Sequence, residues 1–205
     1  ALVLSITAAW AMSSIPFRGR RVIELLLDLP MVTPPMVVGI GLLLLLGREG
    51  VVGQYMPELA RWLFSPVGIV IAQTYVASSI IVCSATAAFK SIEPAYITTA
   101  FNLGLSPLKT LVLVEIPLIW RSLLSSCVLA LARALGEFGA TLMLAGASRF
   151  KTETLPIAVF LNISSGDFTL AIGCAVILIM LAMVMLLLLR IIQQKGGAHV
   201  NRAGA

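Results

Sequence analysis

Long uncharged runs alternate with short charged ones along this chain. Residues 1–17, 29–47, 62–89 and 168–189 hold no Asp, Glu, Lys or Arg. Each is close to the ~20 residues that a helix needs to cross ~30 Å of hydrocarbon. The two-residue alternation of a membrane barrel is absent, so the pattern predicts helices. A further apolar region, residues 110–148, is interrupted by Glu115, Arg121, Arg133 and Glu137. As one helix its 39 residues would extend ~58 Å, nearly twice the hydrocarbon thickness. Its uncharged pieces, 122–132 and 138–148, are too short to cross separately. One crossing is expected there, with an interfacial lead-in and a tail on the far side. The result is an all-α polytopic membrane fold with five transmembrane regions.

The charges between the runs orient them. Placing Arg18, Arg20 and Arg21 in the cytoplasm, and crossing at each region in turn, puts eight Lys or Arg inside and four outside. The inner set is 18, 20, 21, 90, 109, 190, 195 and 202; the outer set is 48, 61, 149 and 151. The bias follows the positive-inside rule. It predicts an external loop over 48–65, a cytoplasmic segment over 91–109 and a cytoplasmic C-terminus. The chain then reads as a membrane domain over 1–192 and a tail over 193–205.

Composition narrows the function classes. Of 205 residues, 60% are hydrophobic and only 11% charged, against about 25% charged in soluble domains; mean hydropathy is +1.05. The net charge of +5 sits on residues flanking the apolar runs, and no basic patch or RNA-binding motif accompanies it, so nucleic acid is not an expected partner. Cys83, Cys127 and Cys174 are far apart within apolar runs and read as small packing residues. His199, the one histidine, lies in the glycine-rich tail. No nucleophile–base pair, metal-ligand cluster or phosphate-binding glycine loop is present, so neither a catalytic site nor a bound cofactor or metal is expected.

One segment fits neither bilayer nor water. Between Glu93 and Lys109 there is no charge, yet the stretch carries Thr98, Thr99, Asn102, Ser106, two prolines and Gly104. Pro94 suits the first turn of a helix, where a missing N–H costs nothing. Nothing breaks a helix from Pro94 to Leu103, and Gly104 can supply a left-handed stop. Ser106–Pro107 then reads as a new N-cap and first turn. On the short helix Tyr96, Ala100 and Leu103 share one face, with Ile97 and Phe101 on the adjacent one. Two uses are open to an uncharged cytoplasmic helix: resting on lipid or its own bundle, or filling a groove on another protein.

The same stretch resembles the cytoplasmic signature of ABC-transporter permeases: Glu-Ala-Ala, three residues, Gly, nine residues, then Ile-x-Leu-Pro. With Gly104 as anchor, the match runs through Thr98, Thr99, Ala100, Gly104, Val114, Ile116 and Pro117. Thr98 stands at the position of the family's glutamate and Thr99 replaces an alanine, so no contact that needs the carboxylate carries over. "LARALGEFGATLMLAG" (131–146), "KTETLPIAVF" (151–160) and "LLLDLPMVTPPMVVGIGLLLLLG" (25–47) are similar to permeases of molybdate and related oxyanion importers. The resemblance covers nearly the whole chain in the family's order. It implies a type I importer permease that pairs with a second copy of itself. It also implies a cytoplasmic ATPase dimer docked on 91–109 and a periplasmic or extracellular oxyanion-binding protein. Tyr96, Ile97, Ala100 and Phe101 would be docking anchors, with Thr98, Thr99, Gly104 and Pro117 completing the coupling site. The run before Arg18 corresponds to the family's second helix, so the first is expected to precede it. Sulfate or tungstate are alternative cargoes, and an ATP-independent carrier or channel is the alternative of a different class.

Arg133 and Glu137 are four apart, on one helix face, within a membrane region. Such a pair either lines a path, where the arginine would attract the anion, or holds helices together. Gly136 and Gly139 beside it suit close packing or a bend. Pro30, Pro34 and Pro35 read as a helix that starts late, at Pro34, or as a hinge.

Overall fold

The computed structural model describes residues 2–14 and 18–200, with side chains through residue 194. Its regular elements are all helical. In chain order they are α1 (Leu2–Ser14), α2 (Arg20–Val32), α3 (Pro35–Leu46), α4 (Val51–Tyr55), α5 (Pro57–Trp62) and α6 (Pro66–Lys90). Next come α7 (Pro94–Asn102), α8 (Pro107–Thr110), a π turn (Leu111–Glu115), α9 (Ile116–Leu135), α10 (Gly139–Ala145), α11 (Leu155–Ser164) and α12 (Phe168–Val200). Among the described residues four stretches are long and apolar enough to cross a membrane: Pro35–Tyr55, Pro66–Lys90, Pro107–Leu135 and Phe168–Gln194. They correspond to four of the five expected regions; α1 supplies the fifth as a shorter apolar helix. Residues 1 and 15–17 of that first region, and 201–205 of the expected tail, lie outside the described residues.

The second region begins late, as the prolines suggest. Pro34 is the N-cap of α3 and Pro35 its first residue, where neither ring removes a needed hydrogen bond. Ahead of it stands an element that the run of leucines concealed. In α2, Arg20, Glu24 and Asp28 recur every four residues along one stripe, and Arg20 pairs with Glu24 at 3.0 Å. Such a helix, apolar on one side and charged on the other, suits a membrane surface.

The region 110–148 differs in detail from expectation. Residues Pro107–Leu135 make a continuous helical stretch, and its widened π turn ends just before Pro117. Ile116 N–H bonds the Leu111 carbonyl, five residues back. Pro117 has no N–H, and its ring would collide with the carbonyl four residues earlier in a regular helix; a π turn relieves that collision. After Leu135 the helix breaks and restarts as α10. Residues 139–145, expected to trail beyond the crossing, are instead a buried helix packed along α3.

Contacts divide the chain into two compact units, one of Ala1–Leu27, Ser78–Ala130 and Leu187–Ala205, the other of Asp28–Ala77 and Leu131–Leu186. The core of the first joins Ala9 and Met12 of α1, Val82, Ala85 and Phe89 of α6, and Ile119 and Leu123 of α9. The second centres on Leu63, Ala72, Ala140 and Leu144, flanked by Leu42, Leu43 and Leu46 of α3. Phe64 has φ +56, and its N–H donates to the Leu144 carbonyl at 2.9 Å, tying that loop to α10. Along α12 the apolar side chains from Ile172 to Ile191 are mostly exposed, which costs nothing against lipid tails. Cys83 is also exposed, while Cys127 and Cys174 are half-buried, so the expectation of packing cysteines fails for Cys83.

In the second unit, backbone meets backbone between α3 and α10. A β-carbon on Gly39 would lie 2.7 Å from Ala140 Cα and 2.8 Å from Met143 Cβ. One on Gly139 would lie 2.8 Å from the Met36 nitrogen. No rotamer can relieve such contacts, and small residues at helix crossings serve this approach in membranes. Gly39→Ala should therefore destabilise the folded protein by about 1–3 kcal/mol, read as a lower unfolding midpoint in detergent. Gly41→Ala is the control, since nothing lies within 4 Å of its added carbon.

Candidate functional site

The segment 91–109 is anchored at both ends. Ser91 Oγ donates to the Ala88 carbonyl at 2.7 Å, and Ile92 is buried in the core of the first unit. Glu93 occupies the N-cap position of α7, with Pro94 as the first residue. Thr98 and Thr99 donate their hydroxyls to the carbonyls of Pro94 and Ala95, at 3.0 and 2.8 Å. Both hydroxyl protons are thus spent inside the helix.

The C-terminal end of α7 is a Schellman turn. Leu105 N–H bonds the Ala100 carbonyl at 3.1 Å, and Gly104 N–H bonds the Phe101 carbonyl at 2.9 Å. Gly104 has φ +80, and nothing lies within 4 Å of a β-carbon there, so backbone conformation alone demands glycine. Ser106 is the N-cap residue and Pro107 the first residue of α8, and the chain continues through the π turn into α9.

Burial splits the expected anchors. Ala100 is only 3% exposed, and Ile97 is half-buried against the core of the first unit. Tyr96, Phe101 and Leu103 are exposed, as are Thr98 and Thr99. α7 therefore uses Ile97 and Ala100 to seat itself on its own unit and presents Tyr96, Phe101 and Leu103 outward. A cavity of about 460 Å³ lies against it, lined in part by Trp10, Phe89, Lys90, Ile97, Phe101 and Glu115. Glu115 is buried and accepts a hydrogen bond from the Trp10 indole N–H at 3.4 Å. Pro117 is exposed, immediately after the π turn.

Arg133 and Glu137 meet in the second unit, where α9 gives way to α10. The Arg133 guanidinium donates to Glu137 Oε2 at 2.7 Å, and the other carboxylate oxygen accepts from Ala140 N–H at 2.9 Å. The Glu137 side chain is fully buried, whereas that of Arg133 is 37% exposed. The carboxylate thus holds the last turn of α9 and satisfies an otherwise orphaned donor at the start of α10. Phe138, between them, packs against Phe160 of α11 with ring centroids 5.5 Å apart and ring planes tilted by 52°. Helix periodicity foretold the ion pair; the backbone donor that completes it leaves no mark in a sequence. Among the described residues no group of His, Cys, Asp or Glu could hold a metal ion.

Comparisons with known proteins identify the family of the chain. The family described as "Binding-protein-dependent transport system inner membrane component" matches residues 1–196. The Bacillus subtilis protein YvgM, named for molybdenum transport, is 38% identical over 197 residues, covering 93% of this chain and 83% of that one. The molybdenum transport system permease protein ModB of Mycobacterium tuberculosis is 38% identical over 166 residues, 79% of this chain and 63% of its own length. The sulfate transport system permease protein CysW of Synechocystis is 33% identical over 201 residues, 96% of this chain and 72% of that protein. With the family profile spanning almost every residue and the long apolar helices in place, the chain belongs to the inner membrane components of binding-protein-dependent transport systems.

Proposed function

We propose that the chain is the membrane-spanning subunit of an ATP-driven importer of molybdate. The observation that carries the reading is the 38% identity, over 93% of this chain, to a relative named for molybdenum transport. The sulfate permease of Synechocystis is more distant at 33%. Two copies form the pathway, a cytoplasmic ATPase dimer docks on residues 91–109, and an external oxyanion-binding protein delivers the anion. Because Ile97 seats α7 on the core that also holds α1, α6 and α9, and Ala100 is buried, closure of the ATPases moves that core rather than sliding α7 across it. ATP chemistry belongs to the partner.

Reconstitution with the ATPase and the binding protein tests the reading. Vesicles should accumulate molybdate only with ATP, with tungstate competing and sulfate competing less. Uptake that ignores ATP would establish a secondary carrier instead, and stronger uptake of sulfate would reassign the cargo. Orientation is tested in a background lacking Cys83, Cys127 and Cys174. An impermeant thiol reagent should label Gln54→Cys in intact cells, and Ser91→Cys and Gln194→Cys only after permeabilisation. Labelling of Ser91→Cys from outside would overturn the placement of the docking segment.

A further inference from the structure

Among the described residues, the non-glycine positions with positive φ are Phe64 and Phe150, at +56 and +60. Both belong to the second unit, and both stand at the C-terminal end of α10. Phe64 donates its N–H to the Leu144 carbonyl there, and a β-carbon on Gly146 would lie 3.5 Å from its ring. Phe150 is in the loop that follows; it is 97% exposed, and Phe64 is 58% exposed. A bulky side chain resists the left-handed region, and a residue persists there only where its surroundings over-determine the backbone.

Those surroundings are polar and local. Thr152 is fully buried, and its hydroxyl accepts from Ser148 N–H at 3.0 Å and donates to the Gly146 carbonyl at 3.2 Å. The backbone N–H groups of Lys151 and Thr152 both bond the Ser148 carbonyl, at 3.1 and 3.0 Å. Glu153 accepts from Phe150 N–H at 2.9 Å. The Arg149 guanidinium donates to Asn162 and Ser165, at 3.2 and 2.8 Å. The loop is thus fixed on both sides of a ring that its own subunit scarcely covers.

We propose that Phe150, with Phe64 beside it on the end of α10, is the surface on which the external binding protein docks. The inference rests on the orientation and the partner proposed above. The family is described by its dependence on a binding protein, and the charge bias assigns both loops to the outer side. Lipid accepts a ring in any direction, so a bilayer anchor has no use for a strained, fixed backbone. A pocket on a folded partner does, because a side chain held in place beforehand loses little freedom on docking. Interfacial anchors also favour Trp and Tyr, whose rings carry a polar tip; phenylalanine has none. Lys151 is exposed next to Phe150, so the matching face of the partner is an apolar pocket with an acidic edge.

The test titrates molybdate-loaded binding protein against the permease and its ATPase in phosphatidylcholine nanodiscs, reading stimulated ATP hydrolysis. Phe150→Gly removes the ring and keeps the backbone, because glycine adopts φ +60 freely. Its unfolding midpoint should hold or rise, and its basal hydrolysis should match that of the unaltered complex. Its half-saturating concentration should rise roughly 30-fold, as the loss of an aromatic anchor requires. Phe64→Gly should act in the same direction. Lys151→Glu should also weaken the response, more at low salt than at high. A lower midpoint for Phe150→Gly would mean that the ring serves its own fold, and overturns the proposal. An unchanged half-saturating concentration overturns this surface alone and leaves the ring to lipid. An unaltered complex that ignores the binding protein removes the partner, and this surface with it. In a background lacking the three native cysteines, Phe150→Cys should react with an impermeant thiol reagent in intact cells. Reaction only after permeabilisation overturns the orientation and, with it, the docking surface.

Discussion

Arg133→Ala should destabilise the permease by about 3–5 kcal/mol, because it strands a buried carboxylate. Glu137 is fully buried, and without Arg133 its carboxylate keeps the Ala140 N–H as its remaining partner among the described residues. Glu137→Ala should cost less, about 1–3 kcal/mol, for one orphaned donor. The arginine it frees is already 37% exposed and can turn toward water. Arg133→Ala with Glu137→Gln should recover most of the loss, since glutamine still accepts from Ala140 N–H without a charge. Exchanging the two charges should not recover it. A guanidinium at 137 has donors only and would confront the backbone donor of Ala140. Unfolding midpoints in detergent rank the four variants, and a stable charge-exchanged protein would refute the account of the helix break. The neutral double variant also isolates transport. If Arg133 guides the anion as well, this protein folds, hydrolyses ATP with its partner and carries little molybdate; if uptake persists, the pair is structural.

What could be read beforehand followed from groups whose effects are local. Uncharged runs located the crossings because hydrocarbon thickness sets a length. Pro94, Gly104, Ser106 and Pro107 located the turns because each residue restricts its own backbone, and Gly104 adopts the positive φ that was expected of it. Relations between elements were hidden. The leucines at 25–27 joined α2 to the apolar run behind it, concealing a charged stripe spaced every four residues. The restart at Gly139 looked like a tail because a seven-residue helix carries too little periodicity to announce itself. Glu137 was legible as a partner of Arg133, but not as the acceptor for Ala140. Gly39 reads as any glycine in a membrane helix until α10 is laid against it. On α7 the difficulty was chemical: with no charge between Pro94 and Leu103, no residue marks the wet side. Helical spacing grouped Tyr96 with Ala100, yet packing buries the small side chain and leaves the large one out.

That division decides how the docking proposal is tested. Ala100→Lys would force a charge into the unit's own packing, since Ala100 is buried, and would damage folding wherever α7 rests. Tyr96 is the informative position: it is 52% exposed on the outward side of α7, and its hydroxyl and ring suit a groove that is apolar with a polar edge. If α7 fills a groove on the ATPase, Tyr96→Ala should weaken the complex by about 2 kcal/mol, roughly 30-fold, as aromatic anchors at interfaces do. Phe101→Ala should act in the same direction. Both proteins should insert normally and keep the unfolding midpoint of the unaltered chain, yet lose ATPase on purification and lose uptake. Tyr96→Lys separates groove from lipid. In a groove the ammonium is buried without a partner and binding collapses. On an anionic membrane surface each added lysine strengthens attachment by about 1 kcal/mol, and the ATPase stays bound. A Tyr96→Lys permease that retains both its ATPase and its molybdate uptake would place α7 on lipid and end the docking account.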